Sequence, residues 1–209
     1  DEDSESSIVA DYAVQYRVGS GHHSRTYLAE IDGFLVESPI TWYASRQSWG
    51  LSPGYDIAHP ASFERAADMG CLNCHVSRAE ALDGTYHRIN FLELGIGCER
   101  CHGPGADHAR AHQLHAGPAP DGAEQIVHPG KIPRSLAESI CAQCHLRGDA
   151  TVFHPGESAE TFRPGQPLSS VRIDFQAVTG DNEMTVVGHM EQMWRSRCYQ
   201  ESTQLTCIS

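Results

Sequence analysis

Cys71-Leu72-Asn73-Cys74-His75 is the first of three copies of the pattern Cys-x-x-Cys-His in this chain. The other two are Cys98-Glu99-Arg100-Cys101-His102 and Cys141-Ala142-Gln143-Cys144-His145. In each copy two thiols stand three positions apart, which suits thioether bonds to the two vinyl groups of one porphyrin. The histidine that follows is placed to bind the porphyrin iron. The pattern predicts three covalent c-type haems (heme c), with His75, His102 and His145 as proximal ligands.

Other classes of protein also carry paired Cys-x-x-Cys motifs. They occur in zinc ribbons, in thioredoxin-like redox sites and in disulfide frameworks. A zinc ribbon uses two such pairs, whereas this chain has three, and each is followed directly by one of only 13 histidines among 209 residues. No βαβ pattern surrounds any copy, although a thioredoxin-like site would need one. Haem attachment is therefore the favoured interpretation.

Two of the eight cysteines, Cys198 and Cys207, stand outside the three motifs. The last residues read Cys207-Ile208-Ser209, which match the opening of a further Cys-x-x-Cys-His. We favour Cys207 as the first thioether cysteine of a fourth haem in a longer chain, with Cys198 as a free thiol or paired elsewhere. The alternative is a disulfide between these two cysteines, which an oxidising compartment would permit.

The composition predicts an acidic protein whose interior is built partly from cofactors. The formal charge is −12, 40% of the residues are hydrophobic, and 19 Gly and 11 Pro indicate many loops. This charge makes nucleic acid and anionic membranes poor partners and favours a basic redox partner protein. No apolar stretch approaches the roughly 18 residues of a membrane helix. Haem attachment outside the cytoplasm and an acidic start that resembles a mature amino terminus predict a periplasmic or extracellular protein.

The expected fold class is mainly α with a small N-terminal antiparallel β-sheet, loop-rich and built around the haems. One domain would cover 1–209, with an acidic flexible start at 1–9, a small β region at 10–50 and a haem-binding helical region at 60–209. Asp32-Gly33 between alternating segments predicts a hairpin. A strand is expected at 171–175, and helices are expected at 61–75, 106–116, 135–146 and 188–201.

The second axial ligand of each iron is expected from the ten remaining histidines. His108 follows His102 too closely to bind the same haem comfortably, so it is better placed to bind another. One of His22 and His23 is a candidate because the preceding glycines let the backbone approach a porphyrin closely. His189, at the start of a predicted helix, is the third candidate.

The remaining histidines and two methionines are weaker candidates. His112 and His115 share the predicted helix face of His108, yet not all three can bind iron. Met190 and Met193 would raise the potential as ligands but are expected to be packing residues. Surface or hydrogen-bonding roles are expected for the others, namely His59, His87, His128 and His154.

Several strings of the sequence resemble a tetrahaem cytochrome c region of environmental bacteria, which is often fused to tetratricopeptide repeats. That region is similar to the tetrahaem electron carriers of ammonia oxidisers and to the haem-packing motifs of hydroxylamine oxidoreductase. The resemblance implies that His108 is a distal ligand and that a fourth motif stands at Cys207. It rests on residues 19–27, 51–56, 95–108, 140–145 and 188–193.

Electron transfer through closely packed haems with two histidine ligands is the first functional hypothesis, and it assigns no catalytic residue. The second is a subunit of an extracellular cytochrome polymer, in which other copies of the chain are partners. The third is a haem enzyme of nitrogen-compound redox chemistry with one open iron. The enzyme is disfavoured because no haem motif ends in Lys and no catalytic cluster is visible; the chain's only Lys is Lys131.

Overall fold

A computed structural model describes residues 11–55, 62–114, 126–146, 148–177 and 188–209. The chain divides into two compact units, Asp1–Leu94 and Gly95–Ser209. The first unit contains the first Cys-x-x-Cys-His motif, and the second unit contains the other two motifs and Cys207. The expectation of one haem-binding domain stays a prediction.

A four-stranded antiparallel sheet forms most of the first unit. Its strands lie side by side in chain order, and they are β1 (Val14–Val18), β2 (Ser24–Ile31), β3 (Phe34–Tyr43) and β4 (Ser48–Leu51). Ile31 pairs with Phe34 across the tight turn that the sequence predicts. Asp32 and Gly33 have φ values of 53° and 80°. Two positive φ values in a two-residue loop match the right-handed twist of the strands that it joins.

A short helix and a hairpin pack against this sheet. The helix is α1 (Met69–Leu72), and the hairpin consists of β5 (Arg78–Ala81) and β6 (Ile89–Glu93). The Ala67 amide donates to the Leu35 carbonyl at 2.9 Å, which ties the segment before α1 to β3. The core of the unit consists of Leu28, Leu35, Ala67, Leu72, Val76 and Ala79.

Five helices and a second hairpin form the described part of the second unit. The hairpin pairs β7 (Ala150–Phe153) with β8 (Arg172–Phe175). None of the helices in the described ranges is long and apolar enough to cross a membrane. The helices are α2 (Glu99–His102), α3 (Ala106–Leu114), α4 (Arg134–His145), α5 (His189–Arg195) and α6 (Arg197–Glu201). Their shared core consists of Ile140, Ala142, Phe162, Leu168, Val171 and Met190.

A buried carboxylate joins α4 to α5 and α6. Glu138 is only 7% exposed and accepts hydrogen bonds from Arg134 Nε at 2.9 Å, Tyr199 Oη at 2.9 Å and Trp194 Nε1 at 3.3 Å. Arg134 lies 3.6 Å over the Tyr199 ring and donates to the Ser202 carbonyl. Because each partner of the carboxylate is a donor, its charge is compensated inside the fold.

The predicted fold class, mainly α with a small N-terminal sheet, is wrong. The described residues contain three antiparallel sheets with eight strands beside six helices. Only Met69–Leu72 is helical in the described part of the expected helix 61–75, whereas the helices expected near 106, 135 and 188 are present. The short strands β5, β6 and β7 were missed because a two-stranded hairpin buries little of either face, so its apolar residues need not alternate.

Met190 should contribute strongly to the stability of the second unit. It is 1% exposed at the centre of the core, so Met190→Ala should lower the free energy of unfolding by about 2–5 kcal/mol. Val152→Ala is the control, because Val152 is 54% exposed and its truncation should cost less than about 1 kcal/mol. Guanidinium denaturation of the haem-loaded protein measures both. Equal losses would contradict the assignment of Met190 to the core.

Candidate haem sites

The first motif is held by two buried apolar residues. Leu72, inside the motif, is 2% exposed, and Val76, just after it, is also buried. Asp68 begins α1 and accepts a hydrogen bond from the Cys71 amide at 3.2 Å. The core therefore anchors the turn, while Cys71 and His75 remain exposed to a ligand. Although the residue is exposed, partial desolvation of its ring lowers the pKa of His75, which favours the neutral imidazole that iron binds.

The second motif has the hydrogen-bonding pattern of a ligating histidine. His102 Nδ1 lies 2.7 Å from the Val127 carbonyl oxygen, and the Val127 amide donates to the His102 carbonyl at 2.8 Å. A carbonyl can only accept, so Nδ1 carries the proton and Nε2 keeps its lone pair. The hydrogen bond from Nδ1 to the Val127 carbonyl also orients the imidazole ring, as is usual for histidine ligands of metals. The site therefore fits a haem with His102 as proximal ligand.

The third motif forms the last turns of α4. Ile140 and Ala142 are buried in the core, whereas His145 lies exposed at the end of the helix. His145 Nδ1 is 3.1 Å from Nδ1 of His189, the first residue of α5. Partial desolvation of the ring, and then the charge of His189, lowers the pKa of His145. The structure thus brings a predicted proximal ligand and a predicted distal ligand to the same place, with the proximal imidazole favoured as neutral.

The second and third motifs are direct neighbours. Gln143, an interior residue of the third motif, donates from Nε2 to the carbonyl of Arg100 in the second motif at 3.0 Å. Cys101 and Cys141 pack against the same hydrophobic core. Sequence analysis missed this contact because Gln143 occupies a position at which the motif accepts any residue.

Cys207 lies beside the third motif. Its Sγ is 3.7 Å from Met190 Sδ and 3.9 Å from Met193 Sδ. Burial raises the pKa of Cys141 to about 12, with a further contribution from the neighbouring Cys207 thiol. All eight cysteines lie in the described part of the chain and none forms a disulfide in the structure, which therefore does not contain the alternative Cys198–Cys207 bond.

The structure places the other predicted ligands on a loop and on α3. His22 and His23 are exposed in the loop between β1 and β2, with ring centroids 5.0 Å apart. The rings of His108 and His112 lie on α3 with centroids 4.4 Å apart and a tilt of 57° between them, and His108 Nδ1 is buried without a hydrogen-bond partner. An orphaned buried nitrogen is unusual and fits a ring whose surroundings a cofactor completes. His115 lies outside the described residues.

Five further residues of the weaker set lie in the described part of the chain. His128 is exposed, as expected, whereas His87 is half-buried and its Nδ1, like that of His108, is buried without a hydrogen-bond partner. Met190 belongs to the core and Met193 packs partly buried against it, which agrees with packing roles. His154 Nε2 is hydrogen-bonded to the Ser169 carbonyl at 3.0 Å, the role expected for it. His59 lies outside the described residues.

Comparison with protein families gives one match, over residues 54–103, to the model described as cytochrome c554 and c-prime. These residues contain the first two Cys-x-x-Cys-His motifs. The match supports a multihaem c-type cytochrome. It also implies covalently bound haem c, the cofactor that the Cys-x-x-Cys-His motifs of this chain predict.

Two further comparisons add little. No curated protein matches the chain. Among solved structures, the outer cell wall cytochrome OcwA is similar at 19% sequence identity and a TM-score of 0.47. The alignment covers 73% of this chain and 31% of that protein, so the chain spans about a third of its length. This similarity is too low to define a shared fold or function.

The raised pKa of Cys141 predicts low reactivity in the chain made without haem. With a pKa of about 12, little thiolate exists at pH 8, so alkylation by iodoacetamide should be at least tenfold slower than in the urea-unfolded chain. Raising the pH towards 10 should speed the reaction in the folded chain. Peptide mass spectrometry gives the rate at Cys141, with exposed Cys198 as the internal comparison. Equal rates in folded and unfolded chains would contradict the burial of this thiol.

Proposed function

We propose that this cytochrome transfers electrons between closely spaced c-type haems, each attached at one Cys-x-x-Cys-His motif and bound by two histidines. The observation that supports it most is the hydrogen bond from Gln143 to the Arg100 carbonyl, which joins the second motif to the third. Because the two attachment motifs are in contact, the two porphyrins bound there would lie close together. An electron can then pass from one haem to the next without a mobile carrier.

The proposed proximal ligands are His75, His102 and His145. His189 is proposed as the distal ligand of the third haem, because its ring lies beside that of His145. His108 is proposed as a second distal ligand, supported by its buried Nδ1 without a partner. A further distal ligand comes from the loop of His22 and His23.

The side chains at these sites favour haem binding over catalysis. Partial desolvation lowers the pKa values of His75 and His145, so both imidazoles are neutral near pH 7 and can bind iron without first losing a proton. The haem supplies the one-electron chemistry of its iron, and two histidine ligands favour electron transfer over the binding of substrate. The protein's contribution is to orient the ligands and to exclude water.

The fourth haem, the cellular location and the partners belong to the same proposal. Cys207 is proposed as the first attachment cysteine of a fourth haem, and its place beside Cys141 would put that haem next to the third. A periplasmic or extracellular location suits covalent haem attachment. With a formal charge of −12, the chain would attract a basic redox partner, and attraction should weaken as salt rises.

The number of haems per chain should fall by one when one Cys-x-x-Cys-His motif is removed. Replacing Cys98 and Cys101 together by Ser should remove one haem from the purified protein while the others stay attached. Intact mass and the pyridine haemochrome spectrum measure the number of haems per chain. Cys198→Ser is the matched control, because this exposed thiol lies outside every motif, and it should leave the count unchanged. An unchanged count in the double variant would contradict covalent attachment at the second motif.

Replacing His189 should leave one haem iron without its distal ligand. The wild-type protein should be wholly low-spin in electron paramagnetic resonance, whereas His189→Ala should show one high-spin ferric haem that binds carbon monoxide after reduction. His189→Met should restore a low-spin haem and raise its potential, since thioether ligation favours the ferrous state.

His154→Ala is the control, because this ring bonds to a backbone carbonyl, and it should keep the wild-type spectrum. A wholly low-spin His189→Ala protein would remove His189 from the ligand set. A high-spin haem in the wild-type protein would instead favour an enzyme with an open iron.

A further inference from the structure

Arg172 and Asp174 form a buried ion pair on β8. Their side chains are 10% and 6% exposed, and Arg172 Nε lies 2.9 Å from Asp174 Oδ2. Asp174 Oδ1 also accepts a hydrogen bond from the Thr151 hydroxyl at 2.5 Å. Taking two charges out of water is costly, and a pair of apolar residues is often at least as stable. The pair therefore calls for an explanation beyond the stability of the hairpin.

The rest of the Arg172 guanidinium binds the end of α4. Nη1 donates to the Gln143 carbonyl at 3.2 Å, and Nη2 lies 3.3 Å from the Ala142 carbonyl and 3.4 Å from that of Leu146. The Ala142 carbonyl also accepts from the Leu146 amide at 3.1 Å, whereas carbonyls at the end of a helix in general lack the intrahelical donors that the interior ones have. The three carbonyls flank Cys144 and His145, so one side chain holds the backbone on both sides of the third haem attachment.

We propose that Arg172 positions the third haem motif and that the Arg172–Asp174 pair sets the reduction potential of the haem bound by His145. This inference rests on the proposed function, because it assumes a haem at that motif. A guanidinium near iron favours the ferrous state, whereas a carboxylate favours the ferric state, and both charges act strongly because water is excluded. Positioning comes from the geometry of the guanidinium, and the potential comes from its charge.

Three variants separate the two roles. Arg172→Gln removes the positive charge and should lower one midpoint potential, whereas Asp174→Asn removes the negative charge and should raise the same one. Arg172→Lys keeps the positive charge, so the midpoint potential should stay at the wild-type value. Because a lysine cannot reach three carbonyls in one plane, the variant should unfold at a lower denaturant concentration. Arg163→Gln is the matched control in the same unit, since exposed Arg163 donates only to the backbone carbonyls of Glu160 and Phe162.

Optical redox titration of the haem-loaded protein gives the midpoints, and haem mapping on the peptide that contains Cys141 and Cys144 shows whether the third haem is present. Opposite shifts in Arg172→Gln and Asp174→Asn support the proposal. A wild-type midpoint in Arg172→Lys together with unfolding at lower denaturant supports the positioning role of the guanidinium.

Shifts in the same direction, or none in either variant, would overturn the proposal and leave Arg172 as a helix cap. A wild-type protein without haem on that peptide would overturn the proposed function at this motif, and the inference with it. If the wild-type protein carries the haem on that peptide, unmoved midpoints in the variants overturn the inference but leave the proposed function standing.

Discussion

Burial of apolar residues within or beside the first and third attachment motifs is the constraint on which these two haem sites depend. Leu72 and Val76 anchor the first motif in the core of the first unit, and Ile140 and Ala142 anchor the third in the core of the second. With these residues anchored, His75 and His145 remain exposed, although Cys141 still packs against the core. The same burial that stabilises each unit thus presents the groups that a haem needs.

Polar contacts, together with apolar packing, hold the motifs in place. His102 is oriented through Val127, and the two motifs of the second unit meet through Gln143. Glu138 and Arg172 use buried charge to hold the two ends of α4 against α5, α6 and β8. Buried charges are tolerated here because each faces several partners, and the result is a helix whose haem-binding end is held on more than one side.

Much of the chemistry could be predicted from the sequence, but less of the fold could. Asp32-Gly33 led directly to a hairpin, since few residues adopt two successive positive φ values. The strands β5, β6 and β7 gave no such signal, whereas β8 was expected at 171–175. The missed strands are four or five residues long, and Leu92, Val152 and Phe153 expose apolar side chains to solvent. A rule that expects apolar residues inside therefore fails there, and a mainly α fold was predicted in error.

The sequence by itself determined the three attachment motifs and their proximal histidines, because that chemistry is local to five consecutive residues. Only the tertiary structure decided which groups meet across long stretches of chain. His189 lies beside His145, Gln143 reaches the second motif, and Cys207 packs near Cys141 and Met190. These contacts depend on how α4 and α5 pack around a common core, and that packing cannot be predicted from spacing along the sequence.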